Sequence, residues 1–82
     1  MNTPPIASPV RDSFDPALLA TRLREVREAR GWSQTDLSHQ TALSPANISH
    51  FECGRRVPCP ANLFLLAAAL LVSPAYLLGY QD

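Results

Sequence analysis

The side chains with binding chemistry gather in one stretch: Gln34, then Ser44, Asn47, Ser49 and His50, then Arg55 and Arg56. Two adjacent arginines directly after a helical segment suit the phosphate oxygens of a nucleic-acid backbone. The amide, hydroxyl and imidazole groups can donate to or accept from base edges, main-chain groups or bridging water. Pro45 and Ala46, in the same stretch, have no side-chain donor or acceptor and offer only apolar contact. Other chemistries find less support. His39 and His50 fall on separate predicted helices, and no Ser–His–acid order builds a nucleophile. The three glycines form no phosphate-cradling loop. Cys53 and Cys59 lack the C-x-x-C spacing of a zinc site, and the histidines do not supply a second ligand pair. The expectation is a binding protein and no enzyme, with no metal and no cofactor.

Short capped helices must position these groups. Ser33 followed by Asp36 is a capping-box variant, and Leu37 begins the buried side of the helix it opens. Ser44 is a second N-cap, and Pro45 at N1 gives up an N–H that would be unpaired there anyway. Ile48 and Phe51 point inward at helical spacing, and Gly54 suits a left-handed C′ position. The outward residues are Pro45, Ala46, Asn47, Ser49 and His50, and a small helix with short side chains at its start fits the DNA major groove. Upstream, a helix with Asp15 as N-cap and Pro16 at N1 ends before Gly31, with Leu19, Leu23 and Val26 as core stripe and Leu18 flanking. Arg24 and Glu28 stand at i,i+4 and are expected to pair on its solvent face.

Downstream, a helix opens near Pro60 and runs to about Leu71, with Leu63, Leu66, Ala67 and Leu70 turned inward. A second apolar stripe holds Ala61, Leu65, Ala68 and Leu71 or Val72, with Phe64 beside it. A helix apolar all round is either buried or covered by a partner, and a chain of 82 residues cannot bury it on every side. An oligomer follows. A brief last helix has Ser73 as N-cap, Pro74 at N1 and Gly79 at C′.

These motifs, in this order, resemble the lambda repressor/Cro (xenobiotic-response-element type) helix-turn-helix regulators. The matching features are an Arg-rich first helix from Arg22 to Arg30, and Ser33-Gln34 opening the second. Ser44-Pro45-Ala46-Asn47-Ile48-Ser49-His50-Phe51-Glu52-Cys53-Gly54 follows the family's Ser-x-x-x-Ile-Ser-x-x-Glu-x-Gly habit. Pro58, a Leu/Ala helix and Val72-Ser73-Pro74-Ala75-Tyr76-Leu77-Leu78-Gly79 complete a likeness running from about Leu18 to Gly79. The resemblance implies an all-α, compact five-helix bundle, a lambda repressor-like DNA-binding domain over residues 15–82, with double-stranded DNA as its partner. It implies that Gln34 contacts a phosphate and bridges to the recognition helix. Pro45, Ala46 and His50 become base-edge positions, with Ser44, Asn47 and Ser49 making backbone or water-mediated contacts. It also implies an ion pair between Arg27 and Glu52, and dimers joined near the fifth helix, which puts Phe64, Leu65, Leu71 and Tyr76 at the interface. Three departures stand out: Ala42 and Leu71 replace glycines common in the family, and Cys59 replaces a capping Ser or Asp.

The charge balance cuts the other way. Seven arginines, no lysine and seven acidic residues give a formal charge of zero. Clustered positive charge normally drives nucleic-acid binding, so the expected affinity per monomer is modest. Residues 1–14 hold Pro4, Pro5 and Pro9 with little to bury and read as a flexible tail, from which Arg11 can brush DNA. The apolar run Leu63 to Val72 is too short to span a bilayer, and a signal-peptide core is absent from the first residues. With two reduced thiols, this points to a cytoplasmic protein, nucleoid-associated when bound, with no membrane partner.

The sequence therefore leads to a homodimeric, sequence-specific regulator of transcription, a repressor occluding a palindromic operator. Phage repressor or Cro, restriction-modification controller and self-repressing antitoxin share this appearance, and the setting decides whether a toxin or an antirepressor is a protein partner. The rival is a protein-interaction module that uses the apolar face of the fourth helix, with DNA binding vestigial. Zero net charge and the apolar Pro45-Ala46 favour it; Gln34, Ser44, Asn47, Arg55 and Arg56 oppose it.

Overall fold

The computed structural model describes residues 14–80 and holds five helices among them: α1 Pro16–Ala29, α2 Gln34–Thr41, α3 Pro45–Glu52, α4 Pro60–Leu70 and α5 Pro74–Leu77. The tail reading, including Arg11, lies outside the described residues apart from Phe14, as do the last two residues of the domain range 15–82. Phe14, grouped with that tail, is half-buried and packs against the core.

Local chemistry sets each helix start. Four of the five open on proline at N1, where fixed φ helps and no N–H is missed. Asp15, Ser33, Ser44 and Ser73 each accept a main-chain N–H in the first turn, over 2.9 to 3.1 Å. At Ser33 the box is reciprocal, because the Asp36 carboxylate accepts the Ser33 N–H at 2.9 Å. Cys59 caps α4 without a side-chain hydrogen bond.

Helix α1 packs on α3 and α5, α2 packs on α3 and α4, and α5 closes against α4. Leu19, Leu23, Leu37, Ile48, Phe51, Leu63, Leu66, Ala67, Leu70 and Leu77 meet in one core. Burying each such leucine is worth roughly 1.5–3 kcal/mol, so the core and not helix propensity holds helices as short as α2 and α3. Ala20 and Arg27 are buried on α1 as well, whereas Val26 is only half-buried. Val72, one option for the outer stripe of α4, instead packs against the core. The chain reverses at Gly79, where φ is 97° and an added Cβ would lie 2.9 Å from Leu18 Cδ2. The positive φ favours glycine there, and a Cβ would also push aside the tip of the Leu18 side chain.

Two non-glycine residues are left-handed: Ala42, ending α2 at φ 63°, and Leu71, ending α4 at φ 58°. Each costs on the order of 1–2 kcal/mol relative to a right-handed residue. Side chains staple the first of these turns. Thr41 Oγ1 donates to Leu37 O at 2.8 Å and accepts the Leu43 N–H at 3.2 Å, while Ser38 Oγ donates to Leu43 O.

Candidate nucleic-acid interface

The geometry centres on Glu52, at the last turn of α3 and almost wholly buried. Its carboxylate takes a two-point hydrogen bond from Arg27 of α1: Nε to Oε2 at 2.6 Å and Nη2 to Oε1 at 2.9 Å. Arg27 also donates through Nη1 to the Trp32 carbonyl at 2.7 Å. Gln34, first residue of α2, donates from Nε2 to Glu52 Oε1 at 3.1 Å. One carboxylate thus ties α1, α2 and α3 together. Donation to the Glu52 carboxylate, outweighing the opposing cost of burial, raises the Arg27 pKa above its ordinary value. Glu28, expected to pair with Arg24, has Oε2 3.8 Å from Arg27 Nη2.

The first turn of α3 is open. Ser44, Pro45 and Ala46 are exposed, and Asn47, Ser49 and His50 are half-buried along the same helix. Gly54, with φ 79°, turns the chain out of α3, and the exposed Arg55 and Arg56 follow, their N–H groups on the His50 carbonyl at 2.9 and 3.3 Å. Gln34 stands beside this surface through its bond to Glu52. Arg27 lies behind it, spent on the ion pair. Cys53 and Cys59 are both free and exposed, at the two ends of the arginine loop.

The residues expected at a dimer contact divide. Phe64 is 64% exposed, Leu65 45% and Leu71 76%. Tyr76 is half-buried: Arg22 stacks on its ring, 4.4 Å from the centroid, and donates to its carbonyl at 2.7 Å.

Sequence reasoning missed two arginines. Arg22 clamps α1 to α5, and Arg30 donates to the Leu70 carbonyl at 2.9 Å, filling a vacancy at the end of α4 while lying 5.8 Å from the Trp32 ring centroid. Both act on partners at least forty residues away, so no local spacing signals them. The buried Thr41 hydroxyl was missed too, although a threonine in the last turn before a tight reversal is a known main-chain partner.

A bundle in which two short helices at a tight turn present one open first turn beside a cationic loop is a helix-turn-helix domain. Comparison with known proteins is specific: the helix-turn-helix domain family model matches residues 18–77. The restriction-modification controller protein C.AhdI from Aeromonas hydrophila is 35% identical, with a TM-score of 0.73 over 77% of this chain and 96% of its own. A hypothetical transcription factor, NHTF, from Neisseria is 36% identical, with a TM-score of 0.73 over 77% and 72%. The P22 c2 repressor, solved with a synthetic operator, is 33% identical, with a TM-score of 0.75 over 78% and 97%. A search of curated protein sequences gave no match. The chain belongs to the helix-turn-helix domain family, among the lambda repressor/Cro-type regulators of transcription. No helix among the described residues is long and apolar enough to cross a membrane.

Proposed function

We propose that the protein represses transcription by binding a palindromic operator as a homodimer, α3 of each copy entering one major groove. The observation that carries this reading is the network Arg27–Glu52–Gln34. It ties the start of α2 and the last turn of α3 to α1, so that two helix N-termini share one frame, and the Arg55–Arg56 loop follows directly from it. Helix N-termini and guanidinium groups attract phosphate, so Gln34, Arg55 and Arg56 position the domain through the backbone. The Gln34 amide keeps a second hydrogen for that task. Pro45 and Ala46 press on thymine methyls, His50 reads guanine or a phosphate, and Ser44, Asn47 and Ser49 work through main-chain groups or water. Two-fold symmetry sets the recognition helices roughly 34 Å apart, one turn of DNA.

Identity to a restriction-modification controller and to a phage repressor supports both settings alike, and the self-repressing antitoxin setting stays beside them. The rival module reading draws on the exposed face of α4. A gel shift with the DNA flanking the protein's own gene tests the choice: a discrete, salt-sensitive complex that unrelated DNA does not compete away supports the repressor. Failure to bind that DNA, or any of a random duplex pool, overturns it. With a bound site in hand, His50→Ala should alter preference at one base pair by roughly 1–3 kcal/mol if the imidazole reads a base. Equal weakening across single-base variants would assign His50 to phosphate.

A further inference from the structure

The junction between α1 and α2 is tied to the far end of α4 by a residue outside the Arg27–Glu52–Gln34 network. Arg30 caps α1, and Gly31 then turns left-handed with φ 74°. The Gly31 N–H donates to the Glu28 carbonyl at 2.9 Å, and the Trp32 N–H to the Arg27 carbonyl at 3.2 Å. That pair of bonds is a Schellman ending, which fixes where the chain leaves α1.

Trp32 stands at a crossing. The Arg27 carbonyl accepts its N–H and Arg27 Nη1 donates to its carbonyl, so one arginine holds both of its main-chain polar groups. It directly precedes the N-cap Ser33 and is half-buried against the core, where Leu37, the fourth residue of α2, is wholly buried. An apolar residue just ahead of an N-cap sets the angle at which the chain enters a helix, and Gln34 opens this one. A closed ring results. It runs along the chain from Trp32 to Gln34, across to Glu52, on to Arg27 and back to the Trp32 carbonyl.

Arg30 fastens this ring to α4. Its Nε donates to the Leu70 carbonyl at 2.9 Å, and its guanidinium carbon lies 5.8 Å from the Trp32 ring centroid. Helix α4 has no basic residue in its own last turn, so α1 supplies the cation that faces its carbonyl end. A planar guanidinium can serve the carbonyl and the ring together; an ammonium can serve the carbonyl but has no flat face to stack.

We propose that Arg30 is a positioning residue for DNA binding. By bridging the end of α4 and the ring of Trp32, it sets the angle at which α2 presents Gln34 to the phosphate backbone. The inference rests on the DNA-binding reading of Gln34 and adds a residue that touches no DNA itself.

The test titrates the full chain with the duplex flanking its own gene at several salt concentrations. The temperature is one at which circular dichroism shows every variant folded. Arg30→Gln should weaken binding about fivefold or more, with the slope of log affinity against log salt unchanged. Arg30→Lys should recover part of that loss, because it keeps the charge and the carbonyl bond. In a Gln34→Ala background, Arg30→Gln should cost almost nothing further, since the group it positions is gone. Should Arg30→Gln not fold, Arg30→Lys goes through the same cycle, and its smaller loss should also vanish with Gln34→Ala. A slope reduced by about 0.9 would make Arg30 a phosphate contact and overturn the positioning role. A loss that persists in full beside Gln34→Ala would make Arg30 purely structural, and unaltered affinity in the single variants would leave it no role; either result overturns the coupling. An unmodified chain that binds neither this duplex nor a random duplex pool overturns the DNA reading itself, and this inference with it.

Discussion

At Ala42 and at Leu71 the backbone makes the same left-handed turn, with φ of 63° and 58°, and the regions around the two residues are built differently. Ala42 stands in a turn stapled by Thr41 and Ser38 and joins two helices that a shared buried carboxylate aligns. Leu71 ends a helix with no charged residue and no N-cap hydrogen bond, beside exposed Phe64 and Leu65. Directional bonds specify the α2–α3 region, and one copy of the chain completes it. Exposed apolar side chains, with no charge among them, make up the outer side of α4. The difference teaches that the same left-handed turn is held in two ways: by neighbouring side chains at Ala42, and at Leu71 by the Val72 N–H on the Ala67 carbonyl at 3.0 Å together with the distant Arg30 on the Leu70 carbonyl at 2.9 Å.

The largest expected effect breaks the directional side. Glu52→Ala strands the Arg27 guanidinium in a site where its side chain is 10% exposed. Removing one partner of a buried pair costs about 3–5 kcal/mol, a large part of a small domain's stability. Urea unfolding should show a much lower midpoint. Glu52→Leu with Arg27→Met should recover most of that stability, because apolar replacement of a buried pair is often neutral. The double variant should still bind DNA poorly, since Gln34 then has no carboxylate to hold it. A fully active double variant would show that core packing alone aligns α2 and α3, and the contrast between the two regions would fall.

Next in size is the loop that follows α3, its N–H groups on the His50 carbonyl. Arg55→Ala together with Arg56→Ala should weaken binding to all DNA sequences alike. Each lost phosphate contact should reduce the slope of log affinity against log salt by about 0.9. An unchanged slope in titrations at several salt concentrations would remove both residues from the interface.

The four side-chain caps were legible in the sequence, because their signals lie within three residues of each other. The inward stripe of α4 was legible by its period, and Ala42 and Leu71 by departure from a family habit. Arg22 on Tyr76 and Arg30 on the Leu70 carbonyl were not, because tertiary packing alone brings those partners together. Tyr76 was grouped with the outer apolar residues for the same reason: its type suits an interface, and only the fold reveals the arginine on its ring. Arg27 was placed through the resemblance, since nothing in its own spacing marks it as buried.

A smaller effect compares the two left-handed residues directly. Ala42→Gly should stabilise the domain. It relieves a left-handed cost of roughly 1–2 kcal/mol and adds back an unfolded-chain entropy cost of about 0.4–1 kcal/mol. The net gain of under about 1.5 kcal/mol should appear as a higher thermal midpoint with DNA affinity unchanged. Leu71→Gly should share the gain in fold stability, because the same left-handed cost is relieved at the end of α4. A thermal midpoint raised by neither glycine would show that the two left-handed turns carry no such cost.

The smallest effect belongs to the cap that starts α2. The Asp36 carboxylate accepts the Ser33 N–H, and this hydrogen bond is the leading cause that lowers its pKa below the ordinary 3.8. Because the folded pKa is the lower one, the stabilisation is present above the unfolded value and is lost as pH falls through the folded value. The affected window therefore lies below about pH 4, and the cap is unchanged at neutral pH. The group is exposed, so acid should fray the first turn of α2 before it unfolds the core. Carboxyl carbon shifts of Asp36 across an acid titration should give a midpoint below that of an unstructured aspartate. Ser33→Ala keeps the Ser33 N–H but removes the hydroxyl that also bonds near the carboxylate, and should move the midpoint only part of the way back. Ser33→Pro removes the main-chain donor itself and should restore the ordinary value. A midpoint that ignored the proline would mean that the reciprocal cap is not formed in solution, and that packing alone starts α2.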